Sequence, residues 1–339
     1  MNTKTFLRSI GVMAFIATLH SARAQVAPPI DAAAGKPFVF GVVHELSSVV
    51  LGQKRILNIH LPEGYNDTTA AYPVIYVLDG SANEDFPHIA GLVQYMNMYD
   101  LLPKSIVVGI ANVGPSRYHD FTSPTKGDSD LVWVPTGGGS AAFIAFIEKE
   151  VQPFVVQHYR TSGHRTIIGQ SLGGLIGTEI LFTKPDLFDD YVLVSPSLWW
   201  NEGALANSAD AWVKAHATLP KRVYIAVAPD DAMMQTQVDE VVAAFRTHAR
   251  EPLKWSYVPF PEESHMTILH RGVYRAFELL GRREVALRIP LNVALMFQRR
   301  GGCTAPRDAP WRNSLAAGNR RWARPSPPFR QWRTDAGNA

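Results

Sequence analysis

Five short apolar runs recur along the chain, and segments with helical periodicity separate most of them. The runs occupy residues 73–78, 105–111, 165–168, 191–194 and 223–228. Continuous apolar runs of this length are typical of strands that are buried on both faces of a sheet. Helical patterns occupy residues 172–182, 238–248 and 266–280. Strands that alternate with helices predict an α/β fold with a mostly parallel, doubly wound sheet and helices on both faces.

Charge is distributed unevenly over the 339 residues. The formal net charge is +3. Residues 289–339 carry about +7 and residues 1–24 about +3, which leaves about −7 for the middle of the chain. An acidic middle argues against a nucleic-acid groove. The single cysteine, Cys303, excludes an intrachain disulfide and a C-x-x-C site.

The two ends of the chain differ in character from the middle. Residues 1–24 begin with basic residues, continue with a short apolar run and end in a small-x-small triplet, as in a cleaved secretory signal. We therefore expect a periplasmic or secreted protein without stable membrane insertion after cleavage. We also expect a flexible lead-in over 25–36 and a disordered basic tail over 289–339, which leaves 37–288 for the folded domain.

A glycine-flanked serine follows the third apolar run. Residues 169–173 read Gly-Gln-Ser-Leu-Gly, which matches the motif G-x-S-x-G with Ser171 at its centre. A strand pattern ends just before the motif and a helical pattern begins within it, which is the strand–turn–helix context of a nucleophilic serine. Such a turn strains the backbone, so small residues must flank it. We therefore predict Ser171 as a nucleophile; the alternative is a glycine-rich turn with an incidental serine.

A serine nucleophile needs a base to take its proton. The histidines that follow Ser171 are His216, His248, His265 and His270. The first two fall inside helical patterns, where a solvent-facing histidine is the usual interpretation. His265 lies in a polar loop before the last helix, where a catalytic histidine is presented, so we predict it as the base. His270, one helical turn further on, is the alternative.

The acidic member of a Ser–His–acid triad is expected after the fifth apolar run, where the chain reads Pro229-Asp230-Asp231. An acid there would hold the imidazole in the required tautomer and stabilise its cation. Asp231 is the first candidate and Asp230 the second. Both aspartates could instead cap the following helix. Glu262 or Glu263 could also orient the histidine, or the site could work as a Ser–His dyad.

Stabilisation of an oxyanion requires backbone N–H donors that are fixed in advance. Leu172, directly after the predicted nucleophile, is expected to supply one donor. Ser81, in the loop after Asp79-Gly80, is expected to supply the other. The alternative for this loop is a tight turn without a catalytic role.

Several segments of the chain together form a recognisable ordered set: 44–46, 55–65, 72–80, 117–122, 168–174, 185–188 and 195–200. In this order they resemble the esterase branch of the α/β-hydrolases that includes the enterochelin and salmochelin esterases and the bacillibactin trilactone hydrolases. The resemblance implies an α/β-hydrolase fold and hydrolysis of a carboxylic ester or lactone without a metal or cofactor, and it supports His265 as the base. Gln170 stands where many members of this branch have histidine, and their acidic residue varies.

Three further residues are candidates for contact with substrate. Trp199 and Trp200 could wall the cleft with flat apolar surface, the alternative being core packing behind the site. Arg117 could bind an anionic substrate through a bidentate contact, the alternative being a structural pairing with Asp120.

Together these observations predict a serine esterase that acts on a small-molecule ester through an acyl-enzyme, with siderophore trilactones among the possible substrates. One alternative is an acyltransferase that uses the same residues. Another is a catalytically inactive siderophore-binding protein on a hydrolase scaffold.

Overall fold

The apolar runs form strands of one sheet. The computed structural model describes residues 35, 36, 38–229 and 232–281, except for the side chains of residues 232 and 233. Within this part of the chain the strands are β1 (Val42–Ser48), β2 (Gln53–His60), β3 (Tyr72–Val77), β4 (Ile106–Ile110), β5 (Thr161–Gln170), β6 (Asp190–Val194), β7 (Arg222–Val227) and β8 (Lys254–Pro259). They lie in the order β1-β2-β4-β3-β5-β6-β7-β8. The first two pairs in this order are antiparallel, and the other pairs are parallel.

Helices cover both faces of this sheet. The described helices are α1 (Asp85–Met98), α2 (Ser116–Asp120), α3 (Asp128–Trp133), α4 (Ser140–Phe146), α5 (Gln152–His158), α6 (Leu172–Thr183), α7 (Trp200–Ala215), α8 (Ala232–His248) and α9 (Ile268–Leu280). A π-helical turn, Ile147–Val151, joins α4 to α5. The buried hydrophobic residues of α1 and α9 belong to one hydrophobic core, and those of α4 to α7 with most of those of α8 belong to the other.

The direction of successive side chains along a strand explains the two cores. In β3, Val74 and Tyr76 belong to the core with α4 to α8, whereas Ile75 and Val77 belong to the core with α1 and α9. Because successive side chains point to opposite faces, a strand that is covered on both sides must be apolar at every position. For this reason the sequence shows continuous apolar runs instead of alternation.

The mostly parallel, doubly wound sheet predicted from the sequence is confirmed. The predicted signal over 1–24, the predicted tail over 289–339 and the two candidate acids Asp230 and Asp231 lie outside the described residues. Among the helices that are described, none is both long and apolar enough to span a bilayer.

The carboxyl ends of the parallel strands place the candidate site. Asp79 follows β3, Ser171 follows β5, Ser195 follows β6 and Pro229 follows β7. In open α/β sheets, ligands bind outside the carboxyl ends of the strands. Residues that are far apart in the chain therefore meet along one edge of this sheet.

Candidate active site

Ser171 occupies a sharp turn between β5 and α6. Its backbone angles are φ 59° and ψ −121°, a region that non-glycine residues rarely adopt. The Ser171 N–H donates to the Val194 carbonyl at 3.0 Å, and the Ser171 carbonyl accepts from the Leu175 N–H at 2.9 Å. Hydrogen bonds with the end of β6 and with the first turn of α6 thus maintain a strained conformation at the residue predicted to be the nucleophile.

Close backbone contacts require two glycines, Gly169 in the motif and Gly174 directly after it. A Cβ atom on Gly169 would lie 2.3 Å from the Gly173 carbonyl oxygen. A Cβ atom on Gly174 would lie 2.9 Å from the Cα atom of Pro196. A larger residue at 169 would push α6 away from β5, and one at 174 would push α6 away from the loop after β6.

Ser171 and His265 line the same open cavity, which has a volume of about 520 Å³. His265 lies in the loop between β8 and α9. The side-chain amide of Gln170 donates a hydrogen bond to the carbonyl oxygen of His265. The residue before the candidate nucleophile therefore holds the histidine loop against the turn.

The other candidate bases and acids near this loop have different surroundings. Glu262 and Glu263 lie 2.8 and 2.9 Å from the guanidinium of Arg271. The ring of His270 lies with its centroid 4.5 Å from that of His88, and neither histidine is among the residues that line the cavity. This geometry favours His265 over His270 as the base.

A polar network borders the cavity that contains His265. The guanidinium of Arg117 donates to both carboxylate oxygens of Asp79, at 2.5 and 2.8 Å. The side-chain amide of Asn112 donates to Asp79 at 2.7 Å and to Glu84 at 3.1 Å. Because these residues come from three different loops and helices, the network fixes the shape of this side of the cleft.

Two interpretations from the sequence need correction. The pairing of Arg117 with Asp120 is wrong, because Asp120 lies 2.7 Å from Arg55 in a buried ion pair. The placement of Trp200 in the wall of the cleft is also wrong. Its ring is buried in the core, and its indole N–H donates to the Ser123 carbonyl at 2.8 Å.

A second cavity, of about 440 Å³, adjoins the first at the candidate nucleophile. Its lining residues are Arg117, Tyr118, Trp133, Val134, Ser171, Leu172, Ser197 and Trp199. Arg117, Tyr118 and Ser171 border both cavities. The candidate nucleophile therefore stands at the junction of a polar space and a largely apolar one.

The remaining predicted site residues occupy different positions. Leu172 begins α6, and the first N–H groups of a helix have no intrahelical acceptor, which suits them to an oxyanion. Ser81 is not among the lining residues of either cavity, and its hydroxyl accepts the Asn112 N–H at 3.2 Å. Asp230 and Asp231 lie outside the described residues. The acid and both oxyanion donors thus stay predictions.

Comparison with known families identifies the group to which this site belongs. The family model described as “Putative esterase” matches residues 48–267. The chain belongs to this esterase family. It is a hydrolase on that ground, and the family resemblance inferred from the sequence is confirmed.

Relatives of this esterase include proteins with known structures or substrates. The ferri-bacillibactin esterase BesA of Bacillus subtilis is 30% identical over 228 residues, which cover 61% of this chain and 78% of that protein. The siderophore triacetylfusarinine C esterase of Aspergillus fumigatus is 37% identical over 101 residues, 29% of this chain and 32% of that protein. The crystal structure of an IroE-like serine hydrolase from Shewanella oneidensis matches with a TM-score of 0.65 at 29% identity, over 71% of this chain and 80% of that one. The predicted α/β-hydrolase fold is thereby confirmed.

Sequence patterns give no functional signal for three residues at the cleft of this esterase. The hydroxyl of Ser197 lies 3.2 Å from that of Ser171. Ser197 belongs to a segment that shows the family resemblance, but nothing in that segment assigns this residue a role. Trp133 lies on α3, which is too short to show a helical period. Asp85 is the first residue of α1 and lines the cavity that contains His265. No strand-like apolar run precedes or follows it directly, so the sequence pattern did not place it near the cleft.

The raised pKa of the Asp85 carboxyl leads us to expect that the stability of this esterase depends on pH. Burial, with the charges of Asp79 and Glu84, raises the pKa of Asp85 from 3.8 to about 7. Because the folded-state pKa exceeds the unfolded one, ionisation disfavours the folded state as pH rises from about 4 to 7. We expect Asp85→Asn to raise the free energy of unfolding by about 1–2 kcal/mol at pH 8 and to change it little at pH 4. Urea unfolding at the two pH values measures this difference.

The matched control is Asp128→Asn, because Asp128 also begins a helix but is exposed. That variant is expected to stay within about 0.5 kcal/mol of the wild type at both pH values. If Asp85→Asn changed the free energy of unfolding equally at pH 4 and pH 8, the raised pKa could not belong to Asp85.

Proposed function

We propose that this chain hydrolyses carboxylic esters through an acyl-enzyme formed on Ser171, with His265 as the base. The observation that carries the proposal is the strained turn that presents Ser171 to the cavity shared with His265. Membership of the esterase family supports the reaction class. The name of the IroE-like serine hydrolase supports a serine mechanism.

The reaction proceeds in two steps. His265 takes the proton of the Ser171 hydroxyl as its oxygen attacks the ester carbonyl, and the backbone N–H of Leu172 donates to the oxyanion that forms. When the bond to the alcohol oxygen breaks, His265 returns the proton to that oxygen and the alcohol leaves. Water then attacks the acyl-enzyme with the same base, which releases the carboxylic acid and restores the hydroxyl of Ser171. Asp231 remains the first candidate for the acid that orients His265.

Siderophore trilactones are the substrates that the relatives favour. BesA is named as an esterase of ferri-bacillibactin, and the Aspergillus relative as an esterase of triacetylfusarinine C. The two cavities around Ser171, of about 440 and 520 Å³, are together large enough for a substrate of this kind. Other small esters fit the same chemistry.

Labelling and hydrolysis experiments on the full chain test this proposal. A fluorophosphonate probe is expected to label the folded protein on the peptide that contains Ser171, as located by mass spectrometry. A hydrolysis panel of ferric and iron-free trilactones and short acyl esters is expected to show turnover. Heat-unfolded protein serves as the control for non-specific labelling.

Three results would contradict the proposal in different ways. Absence of labelling and turnover, with retained binding of a ferric siderophore, would favour an inactive binding protein. Transfer of the acyl group to an added alcohol in preference to water would favour an acyltransferase. Labelling at a serine other than Ser171 would exclude the assigned nucleophile.

A further inference from the structure

The cleft consists of two lobes that meet at Ser171. The first cavity, here called the polar lobe, contains His265, Gln170 and the carboxylates beside Arg117. The second cavity, here called the apolar lobe, contains Leu172 and two tryptophans. His265 lines the polar lobe and not the apolar one.

The position of the base assigns the two halves of an ester to these lobes. A general acid must lie within hydrogen-bond reach of the leaving oxygen in order to protonate it. The alcohol half of the substrate therefore lies in the polar lobe, beside His265. The acyl half, on the other side of the same carbonyl carbon, is directed into the apolar lobe.

Trp133 is the most exposed aromatic residue of the apolar lobe. Helix α3 ends with Leu131, Val132 and Trp133, of which 42%, 79% and 78% are exposed. Trp133 lines the lobe together with the half-buried Trp199, whereas Val132 does not line it. An exposed indole beside a reactive serine offers a large flat surface that a bound group can cover.

A buried carboxylate fixes the position of the helix that carries this indole. Asp130, in α3, accepts a hydrogen bond from the backbone N–H of Asn201 at 2.8 Å and from the hydroxyl of Thr125 at 2.6 Å. Asn201 follows Trp199 by two residues. The segments that carry the two tryptophans of the apolar lobe are therefore connected through Asp130.

We propose that Trp133, with Trp199, binds an aromatic or bulky apolar acyl group, so that this protein selects esters by their acyl half and not by their alcohol half. The inference rests on the proposed function and names a specificity-determining residue for it. The chemical class of substrate is a carboxylic ester whose acyl half carries an aromatic ring.

A pair of isomeric esters tests the inference directly. Methyl phenylacetate carries its phenyl ring on the acyl half, and benzyl acetate carries it on the alcohol half. The two esters contain the same atoms and release alcohols of similar acidity, so intrinsic reactivity differs little. We expect kcat/KM for methyl phenylacetate to exceed that for benzyl acetate by about tenfold.

Variants of the same helix show whether Trp133 is responsible. Trp133→Ala is expected to reduce the ratio of the two kcat/KM values from about tenfold to about twofold, whereas Trp133→Phe keeps most of it. Val132→Ala is the matched control, because Val132 is the exposed neighbour that does not line the lobe, and its ratio is expected to equal that of the wild type. Thermal unfolding of each variant checks that the fold is retained.

The possible outcomes separate this inference from the proposed function. Equal kcat/KM values for the two esters in the wild type would overturn the inference and leave ester hydrolysis intact. If Trp133→Ala and Val132→Ala gave the same ratio of kcat/KM for methyl phenylacetate to kcat/KM for benzyl acetate, the role of Trp133 would be overturned. Turnover of neither ester, together with failure of the fluorophosphonate probe to label Ser171, would overturn both proposals.

Discussion

Replacement of either Ser171 or His265 by alanine is expected to lower kcat for ester hydrolysis by at least about 10⁴-fold, and the double variant is expected to lose no more than the more damaging single one. The physical reason is that the two side chains act as a unit. The hydroxyl is a weak nucleophile unless the imidazole takes its proton, and the imidazole has no proton to transfer when the hydroxyl is missing. Steady-state kinetics on a p-nitrophenyl ester measures all three variants.

A neighbouring histidine provides the control for this prediction. His270→Ala removes an exposed imidazole from α9 that does not line the cavity, so its kcat is expected to stay within about twofold of the wild type. If His270→Ala showed the large loss and His265→Ala did not, the base would be misassigned. If the losses of the two single variants multiplied in the double variant, Ser171 and His265 would act independently.

Asp120→Ala is expected to lower the free energy of unfolding by about 3–5 kcal/mol, because it leaves the buried charge of Arg55 without its partner. The two side chains are 1% and 4% exposed and lie 2.7 Å apart. The guanidinium also lies 5.6 and 5.8 Å from the ring centres of Phe143 and Phe146, so water cannot readily replace the carboxylate. Equilibrium unfolding in urea measures the loss.

An exposed ion pair next to Arg55 offers a matched control, because Lys54 precedes Arg55 in β2 and pairs with Glu45 in β1. Lys54 lies 2.6 Å from Glu45, and their side chains are 69% and 55% exposed. Glu45→Ala is therefore expected to cost less than about 1 kcal/mol. The double variant Arg55→Met with Asp120→Leu is expected to recover most of the stability, because no unpaired charge remains. Equal losses in Asp120→Ala and Glu45→Ala would contradict the importance of burial.

Local patterns predicted the strands and the turn at Ser171 because each depends on neighbours in the chain. A strand covered by helices on both faces must be apolar throughout, so the run at β3 is visible in the sequence. The turn needs a glycine at 169, two residues before the serine, because a Cβ atom there would lie 2.3 Å from the Gly173 carbonyl oxygen, so a short local motif marks it. The polar loop before α9 likewise led to the choice of His265 as the base, and that assignment stays a prediction.

Contacts between distant segments could not be read in this way. Arg117 has acidic residues at several distances in the chain, and only the folded arrangement shows that it pairs with Asp79, 38 residues away. Trp199 and Trp200 are consecutive and chemically identical, yet the start of α7 directs the first to the cleft and buries the second. Trp133 lies on a six-residue helix, over which no period can be recognised.

The hydrogen bond from the side chain of Gln170 to the backbone of His265 affects how the cleft responds to thermal motion. Loops at the ends of strands move more than the strands themselves. Here the loop that carries the imidazole is tied to the residue that precedes the reactive hydroxyl, so a displacement of one is transmitted to the other. We therefore expect the distance between the backbone of His265 and the turn at Ser171 to vary less than the position of the loop itself. If Ser171 and His265 act together as proposed, this coupling would preserve their separation when the surrounding loops move.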